Sequence, residues 1–248
     1  MEKVLGIDVS RYQGEIDWDI VSNHDPKIIF VGIRATLSWG YQDPWFPRNW
    51  QEAKRIGVLR TAYHVIFPGE DPTRQIDNLF RLIGDDHGEL PLVLDIELDQ
   101  GNSVSTIINN IYKQAQLVEV RDGRKPILYS RASWVDQYMK GATWLNEYDW
   151  WIAHYLTNQQ IEEHPGPPAL PKGVSTWLIH QTSGKFITNG QFGVESKEVD
   201  IDRWNTTNPA DIYHYAGIAQ PETPEVKTWP QAIDAWARTQ GYTGPEPD

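Results

Sequence analysis

Pro91-Leu92-Val93-Leu94-Asp95-Ile96-Glu97 is a run with two different faces. Alternate residues of a β-strand point the same way. Leu92, Leu94 and Ile96 make an apolar face suited to packing under helices, and Val93, Asp95 and Glu97 make the other. Both ends of the chain repeat the pattern. Leu5, Ile7 and Val9 oppose Gly6, Asp8 and Ser10, while Val199 and Ile201 oppose Asp200 and Asp202.

Outward from residues 91–97, further strands fall at 4–10, 28–36, 60–67, 125–130, 149–155, 176–183 and 198–204. Helical segments separate the early ones: a short one at 17–22, Phe46–Ile56 stopped by Gly57, one opened by Asp71-Pro72, Val104–Val120 and Trp134–Met139. After residue 155 the helices stop. The link 156–175 holds Pro165, Pro167, Pro168 and Pro171, which forbid a regular helix over its second half. The link 184–197 is polar and broken by glycines. Five strand–helix units followed by three strands predict an α/β fold that closes, or nearly closes, into a barrel. The length of 248 residues suits one such barrel. Closure makes the first and last strands neighbours, with Asp8 beside Asp200 and the Asp95/Glu97 pair opposite. We place the barrel at 1–205 and a C-terminal extension, packed on it, at 206–248. Within the extension a short helix is expected at 228–239, with Trp229, Ala232, Ile233 and Trp236 on one side.

Composition removes whole classes of function. With 40% hydrophobic and 23% charged residues the chain is an ordinary globular one. It has no cysteine, so disulfides, thiolate metal sites and a cysteine nucleophile are excluded. The seven histidines form no H-x-H or H-E-x-x-H pair, and no G-x-S-x-G or phosphate-binding glycine loop occurs. No metal or other cofactor is therefore expected. A net charge of −12 argues against nucleic acid and anionic membranes. No run of about 18 apolar residues is present, and the first residues lack the features of a secretory leader.

The remaining chemistry is that of acids among aromatics. The 12 Trp, 11 Tyr and 6 Phe suit an open groove that stacks sugar rings. Tyr12, Trp39, Phe67, Trp134, Tyr155 and Trp204 are placed by the strand pattern at strand ends. A lone aspartate is best explained as a loop cap, but four inward carboxylates at three strand ends are not. Two acids whose Cα atoms lie about 6.6–7 Å apart along a strand repel each other in a partly dry site, which leaves a neutral acid beside an anion. Glycoside hydrolysis needs such a pair.

These residues resemble glycoside hydrolase family 25, the muramidases or Chalaropsis-type lysozymes of bacteria, phages and fungi. The resemblance lies in an ordered set: Gly6-Ile7-Asp8-Val9-Ser10-Arg11-Tyr12-Gln13-Gly14, Ile16-Asp17-Trp18, Phe30–Thr36, Asp43 with Phe46 and Asn49, Ala62-Tyr63-His64, Asp95-Ile96-Glu97, Tyr129-Ser130, Trp151–Tyr155 and Val199-Asp200. It covers about residues 4–205. It implies a modified TIM-type barrel and cleavage of the β-1,4 bond from N-acetylmuramic acid to N-acetylglucosamine in bacterial peptidoglycan. It implies Glu97 as general acid/base, Asp95 as the group orienting the substrate's acetamido substituent in a substrate-assisted retaining path, and Asp8 and Asp200 as shapers of charge at the reacting sugar. Tyr63, Tyr129, Trp151, Tyr155 and Gln181 would line the groove. The implied protein is a monomer acting on the cell wall, either a phage endolysin released through a holin or a secreted enzyme whose leader has been removed. Two alternatives are a wall-binding protein that has lost catalysis and a chitinase-like hydrolase. The intact pair opposes the first, and Val93, standing where chitinases carry the first Asp of D-x-D-x-E, opposes the second. Two stretches depart from the family. His180-Gln181-Thr182-Ser183 replaces the usual Trp-Gln-Tyr, which predicts an altered sugar subsite, and Leu37–Tyr41 replaces an acidic-glycine turn.

A chain of charge −12 meets a wall that is itself anionic, so stacking and hydrogen bonds must carry binding. Wall binding measured by co-sedimentation is expected to hold or rise as salt increases; a steep fall would contradict this.

Overall fold

The computed structural model describes residues 2–156, 166–187 and 190–221. The helix expected at 228–239 lies outside them. The first strand, β1 (Leu5–Val9), is bonded on both sides. It pairs in parallel with β2 (Ile28–Leu37) and antiparallel with the last strand, β9 (Glu198–Trp204). From β2 the sheet continues in parallel through β4 (Leu59–Val65), β5 (Val93–Asp95), β6 (Ile127–Ser130), β7 (Trp150–Ala153) and β8 (Ile179–Ile187). Strand β8 then pairs antiparallel with β9 and closes an eight-strand barrel. A ninth strand, β3 (Tyr41–Gln42), is a two-residue antiparallel flap on the end of β2, too short to show any periodicity.

Helices follow the early strands. They are α1 (Trp18–Ser22), α2 (Phe46–Ile56), α3 (Pro72–Ile83), α4 (Val104–Asp122) and α5 (Ala132–Tyr138). Local chemistry sets their ends. The Asp71 carboxylate accepts from the Arg74 amide, and Pro72 occupies the first turn, where its missing N–H costs nothing. Ser103 caps α4 in the same way, and Gly57 and Gly123 end α2 and α4 in the left-handed conformation. Among the described residues no helix lies between β7 and β9, so the barrel is five β/α units followed by three strands. Among the described residues no helix is long and apolar enough to cross a membrane.

Two strand boundaries differ from the sequence expectation. Strand β5 stops at Asp95, which leaves Glu97 just beyond it. Strand β8 runs on to Ile187, into the stretch expected to be a loop.

The apolar interior has two layers. One lies between strands and helices and includes Ile7, Ile33, Ala62, Leu94, Ile107 and Ile152. The other fills the barrel's lower half with Phe30, Leu59, Val93, Ile127, Trp151, Ile179 and Trp204. Helix α6 (Pro209–Tyr215) joins this second layer through Ile212, which is fully buried. The Tyr215 hydroxyl donates to Asp149 at 2.8 Å. The compact unit that holds the barrel accordingly extends to Ile218. Ile212→Ala is expected to lower unfolding free energy by about 2–4 kcal/mol, seen as a lower denaturant midpoint at unchanged slope.

Candidate active site

The acids of the site come from strands that face each other across the barrel. Asp8 near the end of β1 lies opposite Asp200 near the start of β9. Asp95 ends β5, four strands from β9 in either direction around the barrel. Glu97 follows two residues later. Together with Tyr63, Val93, Tyr129, Trp151, Tyr155 and Gln181 they line one cavity of about 200 Å³. The four acids and the five groove residues expected from sequence are therefore all in its wall. A larger hollow of about 700 Å³, bordered by Leu5, Ile20 and Ile201, holds none of these acids.

Hydrogen bonds fix the wall. The Tyr129 hydroxyl donates to Gln181 Oε1 at 2.7 Å, and Gln181 Nε2 donates to Asp8 Oδ2 at 2.6 Å. The amide is thus oriented from both sides. Trp151 crosses the barrel, and its Nε1 donates to Asp202 Oδ1 at 2.9 Å. This reach requires Gly32, where a Cβ would sit 2.6 Å from the indole ring. Asp95 Oδ1 is buried and has no hydrogen-bond partner. Glu97 Oε1 lies 3.1 Å from Arg131 Nε.

Burial is the largest influence on every acid here, and it favours the protonated form. Asp8 rises to about 6, because burial outweighs the hydrogen bonds from Gln181, Asp202 and Asp200. Asp200 is pushed up to about 9 by burial and by the charge of Asp8, and Asp202 is raised well above the ordinary range for the same two reasons. Of the pair that face each other across the seam, Asp8 therefore ionises before Asp200. Across the cavity Asp95 is raised by burial and by the charges of Glu97 and Asp8. Glu97 is raised by burial, with Arg131 opposing. Burial also keeps Tyr63 and Tyr129 neutral and lifts Tyr155 to about 12. Such a site can donate a proton on one side and stabilise positive charge on the other. Among the described residues no group of three or more His, Asp or Glu side chains is arranged to hold a metal ion.

The aromatics divide. Tyr155 lines the cavity, Tyr12 and Trp39 are exposed, and Phe67 is half-buried. An adjoining hollow of about 430 Å³ shares Tyr63 and Asp200 and carries Tyr12 and Arg34. Trp134 instead packs in the outer layer beside Tyr138. Trp204 is at the other end of the barrel, edge-on to Phe30 and Tyr215. The reason is direction: β9 runs antiparallel, so its start is at the site and its end is at the floor. The departures in β8 also fall elsewhere. His180 is buried beside His154 and Trp177, and the Thr182 hydroxyl donates to the Ile201 carbonyl. Neither lines the cavity. His64 bonds Thr36 Oγ1 at 2.7 Å and is likewise outside it. Two residues went unassigned from sequence. Asp202 shares the inward alternation of β9 and was legible there, whereas Arg131 reaches Glu97 from the start of α5, which no pattern signals.

The model for glycosyl hydrolases family 25 matches residues 7–191. An uncharacterized Escherichia coli O6:H1 protein, YegX, is 37% identical over 155 residues, which cover 61% of this chain and 56% of YegX. The chain thus spans little more than half of that relative. Lysozyme M1 of Streptomyces globisporus is 29% identical over 218 residues, covering 82% of this chain and 68% of the lysozyme. The crystal structure of the bacterial lysozyme from Streptomyces coelicolor superposes with a TM-score of 0.73 at 26% identity, covering 88% of this chain and all of that one.

Asp200 titrates at about 9 when folded and at its ordinary 3.8 when unfolded. The fold resists its ionisation, so stability contributed below pH 4 is lost as pH climbs toward 9. Asp200→Asn keeps a donor toward Asp8 and removes the titration. Denaturant melts are expected to show this variant more stable than wild type at pH 7, by at least about 1 kcal/mol, with the gap closing near pH 4.

Proposed function

The chain belongs to glycosyl hydrolases family 25, and from that membership and the geometry of the pocket we propose that it is an N-acetylmuramidase. Its substrate is bacterial peptidoglycan, cut at the β-1,4 bond from N-acetylmuramic acid to N-acetylglucosamine. The observation that carries this reading is the Asp95/Glu97 pair in an aromatic-walled cavity, with Asp95 Oδ1 buried and unpartnered. A buried acceptor without a donor costs free energy unless a ligand supplies one. The N–H of a substrate acetamido group is such a donor.

In this mechanism Glu97 gives its proton to the leaving glycosidic oxygen. Asp95 accepts from the acetamido N–H and turns the acetamido carbonyl oxygen onto the anomeric carbon. That oxygen bonds the carbon as the glycosidic bond breaks, which leaves a cyclic cation. Glu97, now a carboxylate, takes a proton from water as the water attacks the same carbon. The acetamido group is restored and configuration is retained. Asp8, anchored by Gln181, supplies negative charge toward the reacting sugar, with Asp200 beside it. Tyr63, Tyr129, Trp151, Tyr155 and Gln181 shape the walls. The enzyme works at the cell wall as a monomer and needs no cofactor.

Release of reducing ends from purified peptidoglycan tests this reading. Wild type is expected to expose new muramic acid ends, first formed as the β-anomer by NMR. Glu97→Gln should lose at least about 10²-fold in rate, and Asp95→Asn should lose rate with little change in KM. No release by wild type would leave a wall-binding protein. Equal release by Glu97→Gln would remove Glu97 from its role, and new N-acetylglucosamine ends or faster cleavage of chitin oligomers would replace the muramidase with another hydrolase.

A further inference from the structure

The cavity carries four carboxyls in its wall, and no lysine or arginine lines it. Two arginines lie close by. Arg34 is buried and engaged by Asp43 at 2.8 Å, so its charge is already matched. Arg131 is different. Its carbonyl is held at the start of α5 by the amides of Trp134 and Val135, both at 3.1 Å. Its side chain is 54% exposed and, among the described residues, is ion-paired with Glu97 and with no other carboxylate.

This pairing opposes, without outweighing, the burial that raises Glu97 toward the role proposed for it. A general acid must carry a proton, and a guanidinium at 3.1 Å favours the carboxylate instead. Glu97 in turn acts by its charge on Asp95 on β5, Tyr129 on β6, Tyr155 just after β7, Asp8 on β1 and Asp200 on β9. None is cationic. With Arg131 withdrawn, burial remains and favours the protonated acid. An exposed arginine on a fixed backbone can swing away at small cost, provided that another anion receives it.

We propose that Arg131 is a specificity-determining residue that receives a carboxylate of the bound glycan, and that its transfer from Glu97 to that carboxylate readies Glu97 to act as the acid. Glu97 takes the required proton from solvent as the substrate binds. The inference rests on the muramidase reading. It supplies a physical reason for a carboxylated glycan to be turned over and a neutral N-acetylglucosamine polymer to be left in a resting site. The carboxylate is either the lactyl group of a muramic acid freed of peptide or a carboxylate of the peptide stem.

The test compares wild type, Arg131→Met and Arg131→Lys. Turnover is measured on peptide-bearing peptidoglycan fragments and on glycan strands stripped of peptide by an amidase. Affinity for N-acetylglucosamine oligomers, which carry no carboxylate, is measured by calorimetry. Arg131→Met is expected to raise KM about tenfold or more on a carboxylated substrate, to leave oligomer affinity unchanged, and to move the basic limb of the kcat/KM profile to higher pH. Arg131→Lys keeps the charge and should recover part of the KM. A loss on stripped strands assigns the lactyl carboxylate, and a loss confined to peptide-bearing fragments assigns the stem. An equal loss of turnover and oligomer affinity, or no change in any of them, overturns the inference and leaves the muramidase reading standing. Wild type inactive on both carboxylated substrates overturns the two together.

Discussion

The antiparallel seam between β1 and β9 is the constraint on which the site depends. It closes the barrel and places Asp8 directly across from Asp200. It also reverses β9, so the start of that strand carries acids at the site while its end carries Trp204 to the packed floor. Asp202 then falls one layer below Asp200, where the indole of Trp151 spans the barrel to reach it. A parallel last strand would send the acids and the tryptophan the other way.

Crowding several acids into one low-dielectric space divides their labour. They cannot all be ionised, because like charges at short range in a dry site cost too much. Asp8 is raised less than Asp200, and Gln181 donates to its carboxylate. Asp95 and Glu97 share the opposite wall. The fold maintains this arrangement at a cost to its own stability near neutral pH, as functional sites commonly do. The floor beneath is correspondingly well packed, with α6 and Ile212 sealing the layer that holds Trp151.

Much of this was legible in residue order. The alternation in residues 5–10, 91–97 and 198–204 identified the inward acids, and the prolines after residue 164 announced the end of the helical units. What escaped had physical reasons. A two-residue strand has no period, so β3 was invisible. The extension of β8 over 184–187 is held by its pairing with β9, which no alternation in those four residues signals. The helix at 209–215 is too short for periodicity to mark, and it is stable because Ile212 finds a socket rather than because of its own propensity.

Residue order alone carried the barrel, its five-plus-three order and the inward carboxylates, because strand alternation and helix spacing are local properties of the chain, whereas Trp134 and Trp204 were sorted only by packing. Only the tertiary structure decided direction, contact and charge state. It showed that β9 runs backward, that His180 and Thr182 stay out of the cavity, and that Arg131 grips Glu97. Those facts depend on distances between residues remote in sequence, and on how deeply each acid is removed from water, neither of which is encoded in any local pattern.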